Sequence, residues 1–391
     1  MTERLSAFNE CEVDLGALAR NYERIAGFSK APVMAVIKAD AYGHGLVPAG
    51  LALSGAGCRE IGVLDVEEAL ELKKHPVDAD VTVLAGLHGP VQALRAVEAG
   101  LMVFAYDLAQ IKALSKAAEY VGSIARVTIK IDTGMGRLGF PWEKAGYVIS
   151  SIAKGKNVAI LGLATHLATS GDAGAAGQLE RFYEVGEKAK KRSGLDLRYS
   201  VLASGGILAH PGFPDGLSRA GLMLYGYAPL GPADPALARL PKSRNLVKSL
   251  ERAMAVKSSL IQVREAKAGE TVSYDRTFTV PRAMKVGTAP IGYAHGLGRA
   301  RSSAGYALIG GRRARLLGRV CMNLTMYDIG GTGAAPGDPV ILMGDQGGES
   351  IGADLIGSWE KTSAYEILCR LGSMNPRRHL RSAPRGRARR P

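Results

Sequence analysis

The sequence predicts an α/β chain, a (β/α)8 TIM-type barrel followed by a mainly β C-terminal domain, and three observations carry that prediction. Between residues 33 and 227, eight short apolar segments alternate with amphipathic helical segments. The alternation ends at the stretch PLGPADPALARLPKS, and from about Ala253 the chain reads as β-strands separated by Gly and Pro turns. A chain of 391 residues, 47% of them hydrophobic, is long enough for two cores.

The eight predicted strands form the barrel one after another. They are VMAVIK, EIGVL, VTVLAG, LMVFAY, RVTIKID, AILGLATH, LRYSVLAS and SRAGLMLYG, with helical stretches such as VEEALELKK between them. We expect the barrel at residues 13–240, the β domain at 1–12 and 241–380, and a basic flexible tail at 381–391. In such barrels the catalytic groups come from the carboxyl ends of the strands.

Composition and cysteine spacing narrow the class of protein. The apolar runs are too short for a membrane span, and the stretch MTERLSAFNECEV has no cationic start followed by an apolar core. We therefore expect neither an anchor nor a signal peptide, and a cytoplasmic location. Cys11, Cys58, Cys321 and Cys369 lie far apart, without the paired spacing of metal ligands, so we expect reduced thiols and no metal site.

The net charge of +14 does not by itself indicate a nucleic-acid-binding protein. Five arginines lie in the final stretch RSAPRGRARRP, whose Pro and Gly content does not suit a folded core. We expect a solvated end there, and the charge pattern does not favour nucleic acid as a partner.

The strand ends carry the chemistry. Lys38 ends the first apolar strand, where a solvated lysine is the ordinary interpretation. The ends of later strands carry Lys130, Arg137, His166, Ser204, Arg219 and Gly221. Taken singly, such residues are usually solvated charges, helix caps or hydrogen-bonded core groups, but their shared placement at one rim of the barrel predicts an active site.

The stretch GMGRLG fits the dinucleotide-binding pattern G-x-G-x-x-G. It follows KID instead of opening a first βαβ unit, which disfavours a dinucleotide site.

Eight motifs resemble those of a known family. AVIKADAYGHG, KIDTGMGRLGF, GLATHLATS, SRAGLMLYG, VSYDRTFT, PIGYAHG, GRVCMN and AYEILC resemble, in this order, the motifs of the alanine racemases. These are pyridoxal-phosphate enzymes with an amino-terminal barrel and a carboxyl-terminal β domain. The resemblance covers nearly the whole chain, and it implies interconversion of L-alanine and D-alanine, which supplies D-alanine for peptidoglycan.

The resemblance implies how the cofactor is held. Lys38 matches the lysine that carries pyridoxal 5'-phosphate covalently and, once released by substrate, acts as a base. Arg219 matches the partner of the pyridine nitrogen. Because arginine stays protonated, it leaves that nitrogen unprotonated and weakens the ring as an electron sink. The phosphate-binding positions, which offer hydroxyls and backbone N–H groups, match Tyr42, Ser204, Gly221, Leu222 and Tyr365.

The β domain contributes the second base. Tyr274 matches the tyrosine that, in this family, reaches into the partner subunit's site and faces the α-carbon opposite the lysine. The resemblance therefore implies a homodimer that acts on a small amino acid by a two-base reaction. His166 matches the group that links Arg219 to that tyrosine.

The remaining matched positions surround the substrate. Arg137 and the backbone at Met322 match the family's contacts to the substrate carboxylate, and Lys130 matches a lysine that is often carbamylated and holds that arginine. Tyr293 and Tyr365 match the gate that narrows the entrance to the site. Arg299 and Arg319 match charges further out.

Three departures bear on the substrate. His295 occupies a position where the family usually has Asp, and Asp275 one where Gly is common. Asn323 replaces the Asp of the family's usual CMD motif. The YDRT and MN variants resemble broad-specificity amino-acid racemases, whereas Tyr365 suits a methyl-sized side chain, so we expect alanine, with serine as a weaker substrate. A barrel decarboxylase of the same cofactor class would carry EPGR and HxGS motifs, which are not found here. A non-catalytic pyridoxal-phosphate carrier would resemble the barrel alone.

Overall fold

The structure, a computed structural model, describes residues 8–213, 216–230 and 235–382. It divides into two compact units. The barrel unit is Leu18–Ala39 with Leu46–Glu251, and the β unit is Met1–Ala17 with Asp40–Gly45 and Arg252–Pro391. The predicted tail at 381–391 lies, from residue 383 onward, outside the described residues, as do residues 1–7 of the predicted β segment.

The first half of the chain alternates strands and helices, as the sequence predicts. In chain order the elements are β1 (Glu10–Asp14), α1 (Leu15–Phe28), β2 (Val33–Val36), α2 (Lys38–Tyr42), α3 (Leu46–Gly55), β3 (Glu60–Val63), α4 (Val66–Lys73), β4 (Asp80–Val83), α5 (Gly89–Glu98), β5 (Met102–Ala105), α6 (Leu108–Val121), β6 (Ala125–Asp132), β7 (Phe140–Pro141), α7 (Trp142–Ala153), β8 (Val158–Ala164), α8 (Ala173–Ser193), β9 (Arg198–Ser200), α9 (Ser204–Ala209), β10 (Ser218–Ala220), α10 (Pro235–Ala238) and α11 (Pro241–Ser249).

Eight parallel strands form a nearly closed barrel, which confirms the predicted fold class. Their order is β10-β2-β3-β4-β5-β6-β8-β9, and a parallel bridge between Ala203 and Arg219 joins the two ends of the series. Every residue of β2 and of β5 is buried, because helices cover the outer face of such a barrel while side chains fill the inside.

Aspartates begin several of the surrounding helices. The carboxylates of Asp65, Asp107 and Asp172 accept the backbone N–H groups of Glu68, Gln110 and Ala175, each three residues into its helix. At the other end of α6 and α8, Gly122 and Gly194 take left-handed conformations, which glycine adopts without steric cost.

Several predicted strands are shorter in the structure than in the sequence pattern, and two of them are followed by helical turns. The segment VMAVIK ends as a strand at Val36, because the chain turns into α2 at Lys38. The segment SRAGLMLYG is a strand only at Ser218–Ala220, and its apolar continuation is a 3-10 helix at Leu222–Tyr225. Apolar runs do not by themselves separate a buried strand from a buried helical turn.

The β unit is built on a ten-stranded sheet, confirming the predicted second domain. The elements of the second half of the chain are β11 (Met254–Ser259), β12 (Gln262–Ala266), β13 (Thr271–Val272), β14 (Phe278–Thr279), β15 (Met284–Ala289), β16 (Tyr306–Ile309), β17 (Arg312–Leu317), β18 (Thr325–Asp328), β19 (Pro339–Gln346), β20 (Glu349–Ile351), α12 (Ala353–Glu360), α13 (Ala364–Ser373) and β21 (Arg377–Leu380). The order of the strands in the sheet is β12-β15-β18-β17-β16-β19-β11-β1-β21, with β20 on β19. The early strand β1 pairs with β11 and β21.

Among the described residues, no helix combines the length and apolar character needed to cross a membrane.

Candidate active site

Cationic side chains gather at the carboxyl ends of the barrel strands. We call Lys38, Lys130, Arg137 and Arg219 the cationic cluster. Lys38 lies two residues beyond β2, Lys130 near the end of β6, and Arg219 within β10. All four act electrostatically on His166, which follows β8 by two residues. The structure thus brings together five of the residues that the strand ends predict.

Arg219 is fixed from several sides in the barrel interior. Only 5% of its surface is exposed. Its Nη1 donates to Ser200 Oγ at 2.5 Å, and its Nη2 donates to the carbonyl oxygens of Thr165 at 2.7 Å and Val201 at 3.1 Å. One acceptor at the end of β9 and two that directly follow β8 and β9 therefore set the direction of a permanently charged guanidinium.

His166 is held neutral. Burial, and then the charges of Arg219 and Lys130, lower the pKa of His166 to about 2. Its backbone is fastened by Gln178 of α8, whose Nε2 donates to the His166 carbonyl oxygen at 3.1 Å and whose Oε1 accepts the N–H of Ala168 at 2.8 Å. At neutral pH this imidazole offers one donor and one acceptor without a charge.

Lys130 resembles His166 in its electrostatics. Burial, followed by the charges of Arg219 and Arg137, holds the pKa of Lys130 well below its usual range. Its Nζ lies 5.8 Å from the centroid of the Phe104 ring. These surroundings favour the uncharged, nucleophilic form of the amine more than an exposed position does.

The loop that carries Arg137 is organised around Asp132. One carboxylate oxygen, Oδ1, accepts the backbone N–H groups of Gly134, Met135 and Gly136 at 2.9, 2.9 and 3.1 Å. Burial opposes ionisation of Asp132, but these N–H groups outweigh it and lower its pKa. The glycines of GMGRLG therefore serve a tight turn, and the exposed Arg137 projects from it.

Ser204 and Gly221 form a small polar site in the barrel unit. The Ser204 hydroxyl is buried at the first residue of α9 and accepts the backbone N–H of Gly221 at 3.0 Å. Because that bond uses an acceptor lone pair, the hydroxyl proton remains able to donate. Leu222 follows as the first residue of its 3-10 helix.

The residues after Lys38 adopt an unusual backbone. Ala39, Asp40, Ala41 and Tyr42 have φ angles of 53°, 53°, 55° and 53°, so α2 is one turn of left-handed helix. Such a conformation costs non-glycine residues roughly 1–2 kcal/mol each. The turn must therefore be held by the structure around it, as is common for backbone strain at functional sites.

Within the β unit, Tyr42 and Tyr365 come together. Their ring centroids lie 5.9 Å apart, with the planes tilted by 40°. Burial raises the pKa of both phenols, and for Tyr42 the neighbouring Tyr365 adds to it. Both phenols therefore stay protonated and can donate a hydrogen bond.

Tyr274 projects from a strained turn and is 63% exposed. Its neighbours Ser273, Asp275 and Arg276 have φ angles of 72°, 57° and 51°. The Ser273 hydroxyl donates to the carbonyl oxygen of Arg319 at 2.8 Å and accepts its N–H at 3.0 Å, while Arg319 Nη2 lies 3.1 Å from Asp275 Oδ2. The position where Gly is common in the family is thus a left-handed one, which Asp tolerates better than most residues.

Two loops of the β unit bring Tyr293 and Met322 together. The Tyr293 N–H donates to the Cys321 carbonyl oxygen and the Ala294 N–H to that of Met322, each at 3.0 Å. His295, in place of the usual Asp, accepts the Gly292 N–H through Nδ1 at 3.2 Å, a bond that a carboxylate could also accept.

Arg299 and Asn323 lie exposed on the β unit, and Arg319 makes the contacts with Asp275 and Ser273 described above. Sequence reasoning missed Gln178, because a glutamine on an amphipathic helix gives no signal that its amide fastens a strand end. It also missed the residues that hold α2 in its left-handed form.

The residues present fit pyridoxal 5'-phosphate. The barrel unit combines a lysine, a fixed arginine, and a serine hydroxyl beside a backbone N–H, which suit the cofactor's aldehyde, ring nitrogen and phosphate, respectively. The cluster joins Lys38, Arg137 and Arg219 with the buried amine of Lys130, and Asp132, the acid that acts electrostatically on Lys130, is engaged by backbone N–H groups. Such a site attracts anions.

Comparison with known proteins identifies the family. A family model for the alanine racemase N-terminal domain matches residues 13–229, and one for the C-terminal domain matches residues 253–379. The alanine racemase of Geobacter sulfurreducens is 33% identical over 387 residues, covering 96% of this chain and 98% of that protein. That of Nitratidesulfovibrio vulgaris is 36% identical over 373 residues, covering 94% and 96%.

Solved structures agree. The alanine racemase from D-cycloserine-producing Streptomyces lavendulae has a TM-score of 0.88 at 28% identity, covering 97% of this chain and 98% of that one. That of Bartonella henselae, solved with covalently bound pyridoxal phosphate, has a TM-score of 0.82 at 26% identity, covering 96% and 100%. These similarities confirm the resemblance that the eight motifs carry. The chain belongs to the alanine racemase family, whose members are pyridoxal-phosphate-dependent isomerases.

Proposed function

We propose that this protein interconverts L-alanine and D-alanine with pyridoxal 5'-phosphate held on Lys38, and that it supplies D-alanine for peptidoglycan from the cytoplasm. The observation that carries the proposal is the cationic cluster around a neutral His166 at the carboxyl ends of the barrel strands. Catalytic groups of this fold come from those strand ends, and the cluster suits a phosphate and a substrate carboxylate.

The barrel residues would hold and orient the cofactor. When bound, pyridoxal phosphate withdraws electron density from the substrate's α-carbon and makes its proton acidic. The Lys38 amine would tether the cofactor and, when free, take or return the proton on one face. Arg219 would face the ring nitrogen without giving it a proton. The phosphate would accept hydrogen bonds from Tyr42, Ser204, Gly221, Leu222 and Tyr365.

Tyr274 would act on the opposite face, in the site of a partner subunit. Its exposure in the single chain, on a turn that Ser273 and Arg319 fix, suits a side chain offered to a second copy. Neutral His166 would link Arg219 to the partner's phenol, and the guanidinium charge behind it would favour the phenolate. We therefore propose a homodimer in which each site uses both chains.

The substrate would be held by its carboxylate. Arg137 and the Met322 backbone would bind it, and Tyr293 with Tyr365 would limit the side chain to the size of a methyl group. The lowered pKa of Lys130 favours the neutral amine, which is the form that adds carbon dioxide, and the resulting carbamate would hold Arg137. Arg299 and Arg319 would act as charges further out. A broad-specificity racemase is the second candidate, favoured by the YDRT and MN variants at Asp275 and Asn323.

The test is a chiral assay on purified protein with added pyridoxal phosphate. L-alanine should be converted to an equal mixture of enantiomers, and the protein should show the visible absorption of a lysine-bound cofactor. Lys38→Ala should lose both signals, whereas Lys112→Ala, at an exposed position of α6, should keep both. Failure of the wild-type protein to form D-alanine would refute the proposal.

The assignment of bases has its own test. In Tyr274→Phe, release of the α-deuteron from L-[α-²H]alanine should fall by about 10²–10⁴-fold, while exchange of the D-enantiomer's α-proton, driven by Lys38, should continue. Overall racemisation should fall equally in both directions, because the equilibrium constant between enantiomers is fixed. NMR follows deuteron release from L-[α-²H]alanine in ordinary water and exchange of the D-enantiomer's α-proton in deuterated water, and equal loss from both enantiomers would contradict the assignment.

A further inference from the structure

The left-handed turn after Lys38 is held by strand β21. Residues Asp40–Gly45 belong to the β unit, although Lys38 itself belongs to the barrel unit. Arg377 pairs with the Asp40 carboxylate, and the same Nη1 donates to the Gly43 carbonyl oxygen at 3.2 Å. Two residues further along the same face of the strand, His379 Nε2 donates to the His44 carbonyl oxygen at 2.8 Å.

Helix α13 and His44 complete the hold on the turn. A Cβ on Gly43, at φ +80°, would lie 2.7 Å from the Leu368 carbonyl oxygen, so the backbone of α13 packs directly against the turn. His44 is fully buried, and its Nδ1 donates to the carbonyl oxygens of Ala41 at 3.0 Å and Tyr42 at 3.1 Å. The carbonyl groups that the left-handed turn leaves open thus find donors on all sides.

We propose that Arg377, with Asp40 and His379, positions the cofactor lysine by holding α2 in its left-handed form. Four consecutive non-glycine residues keep positive φ angles only where surrounding contacts over-determine them. Lys38 begins that turn, so any relaxation of residues 39–42 redirects its amine. The contacts that hold residues 40–45 would therefore act on Lys38 through the continuous backbone of the turn. This inference rests on the proposed role of Lys38.

Two neighbouring arginines of β21 provide a matched test in the full-length protein. Arg377→Gln removes the pair with the turn, whereas Arg378→Gln removes a guanidinium that lies 2.7 Å from Glu10 and 2.6 Å from Glu12 instead. In Arg377→Gln, amide hydrogen exchange of residues 39–45 without cofactor should accelerate about tenfold, and the dissociation constant of pyridoxal phosphate should rise about tenfold. Arg378→Gln should change neither quantity.

Two further variants keep the inference open to refutation even where Arg377→Gln folds poorly. Asp40→Asn tolerates the left-handed backbone but loses the charge, so it should reproduce both effects more weakly. Arg377→Lys restores a charge without the planar fork and should recover part of the cofactor affinity. Equal exchange in the Gln variants of Arg377 and Arg378, or unchanged cofactor affinity in both Arg377→Gln and Asp40→Asn, would overturn the inference. A wild-type protein without racemase activity would refute the proposed function instead, and the exchange comparison would still decide this inference.

Discussion

The two proposed bases lie in opposite surroundings. Lys38 is half-buried beside a fully buried strand and close to other cations, whereas Tyr274 stands on an exposed turn of the β unit. Both nevertheless follow or precede non-glycine residues at positive φ. In the proposed mechanism the barrel would supply its half of the chemistry within one chain, whereas the exposed tyrosine would be enclosed by a second chain. Backbone strain beside both is consistent with function at both.

Mixing the subunits of two inactive variants gives the largest expected effect and tests the comparison between Lys38 and Tyr274 most directly. Lys38→Ala and Tyr274→Phe should each lower racemisation by about 10²–10⁴-fold or more, since each removes one base. After subunit exchange, an equal mixture should regain about a quarter of wild-type activity, because half of the dimers carry one intact site.

As a control, each variant alone is taken through the same subunit-exchange procedure, and it should stay inactive. A mixture that remains inactive after exchange has been verified by mass spectrometry would mean that Tyr274 serves its own chain. The comparison between an enclosed lysine and an outward tyrosine would then have to be abandoned.

Two buried histidines, one in each unit, sharpen the comparison through pH. Burial lowers the pKa of His44 to about 4, and burial with the neighbouring cations lowers that of His166 to about 2. The unfolded chain binds these protons near the ordinary pKa of about 6.5, so stability is present above that pH and is lost as pH falls. Between pH 7.5 and 5.5 each histidine should contribute a loss of about 1.4 kcal/mol in the free energy of unfolding of the cofactor-free protein.

Denaturant titrations at the two pH values measure this loss. His44→Gln and His166→Gln should each flatten the pH dependence by one histidine's share, whatever they do to stability at pH 7.5. Slopes that stay at the wild-type value in both variants would show that these two histidines do not account for the acid sensitivity.

Side-chain size should give a moderate effect. Tyr365→Asn should raise kcat/KM for serine relative to alanine by about 1–2 kcal/mol in transition-state free energy, since pocket-size discrimination is typically of this order. Tyr120→Asn, an exposed tyrosine on α6, should leave the ratio at its wild-type value. An unchanged ratio in Tyr365→Asn would move the determinant to Asn323 or His295.

Sequence reasoning reached the site because strand ends are visible in the pattern of apolar runs. Lys38 and His166 each follow or end an apolar segment, and Arg219 lies within the short strand β10 at the start of another. Gln178 and Arg377 gave no such signal, since their roles depend on contacts with residues distant in the chain, at the His166 and Gly43 carbonyl oxygens. The positive φ angles after Lys38 could not be predicted either, because alanine and aspartate do not indicate a left-handed turn as glycine does.

Asp275 provides the smallest expected effect and the finest test of the tyrosine turn. Asp275→Gly removes an exposed ion pair with Arg319, worth roughly 0.2–1 kcal/mol, but it also relieves a left-handed conformation that costs non-glycine residues roughly 1–2 kcal/mol. The two changes nearly cancel, and glycine's extra freedom in the unfolded chain reduces the gain further, so stability should change by less than about 1 kcal/mol. Asp275→Val should lose clearly more, because a β-branched side chain is disfavoured at positive φ. Thermal unfolding of the two variants, with Asp345→Gly as an exposed control in β19, measures the difference. Equal losses for Gly and Val would show that the backbone at Asp275 relaxes in solution, and that the turn bearing Tyr274 is not held as rigidly as its bonds to Ser273 and Arg319 indicate.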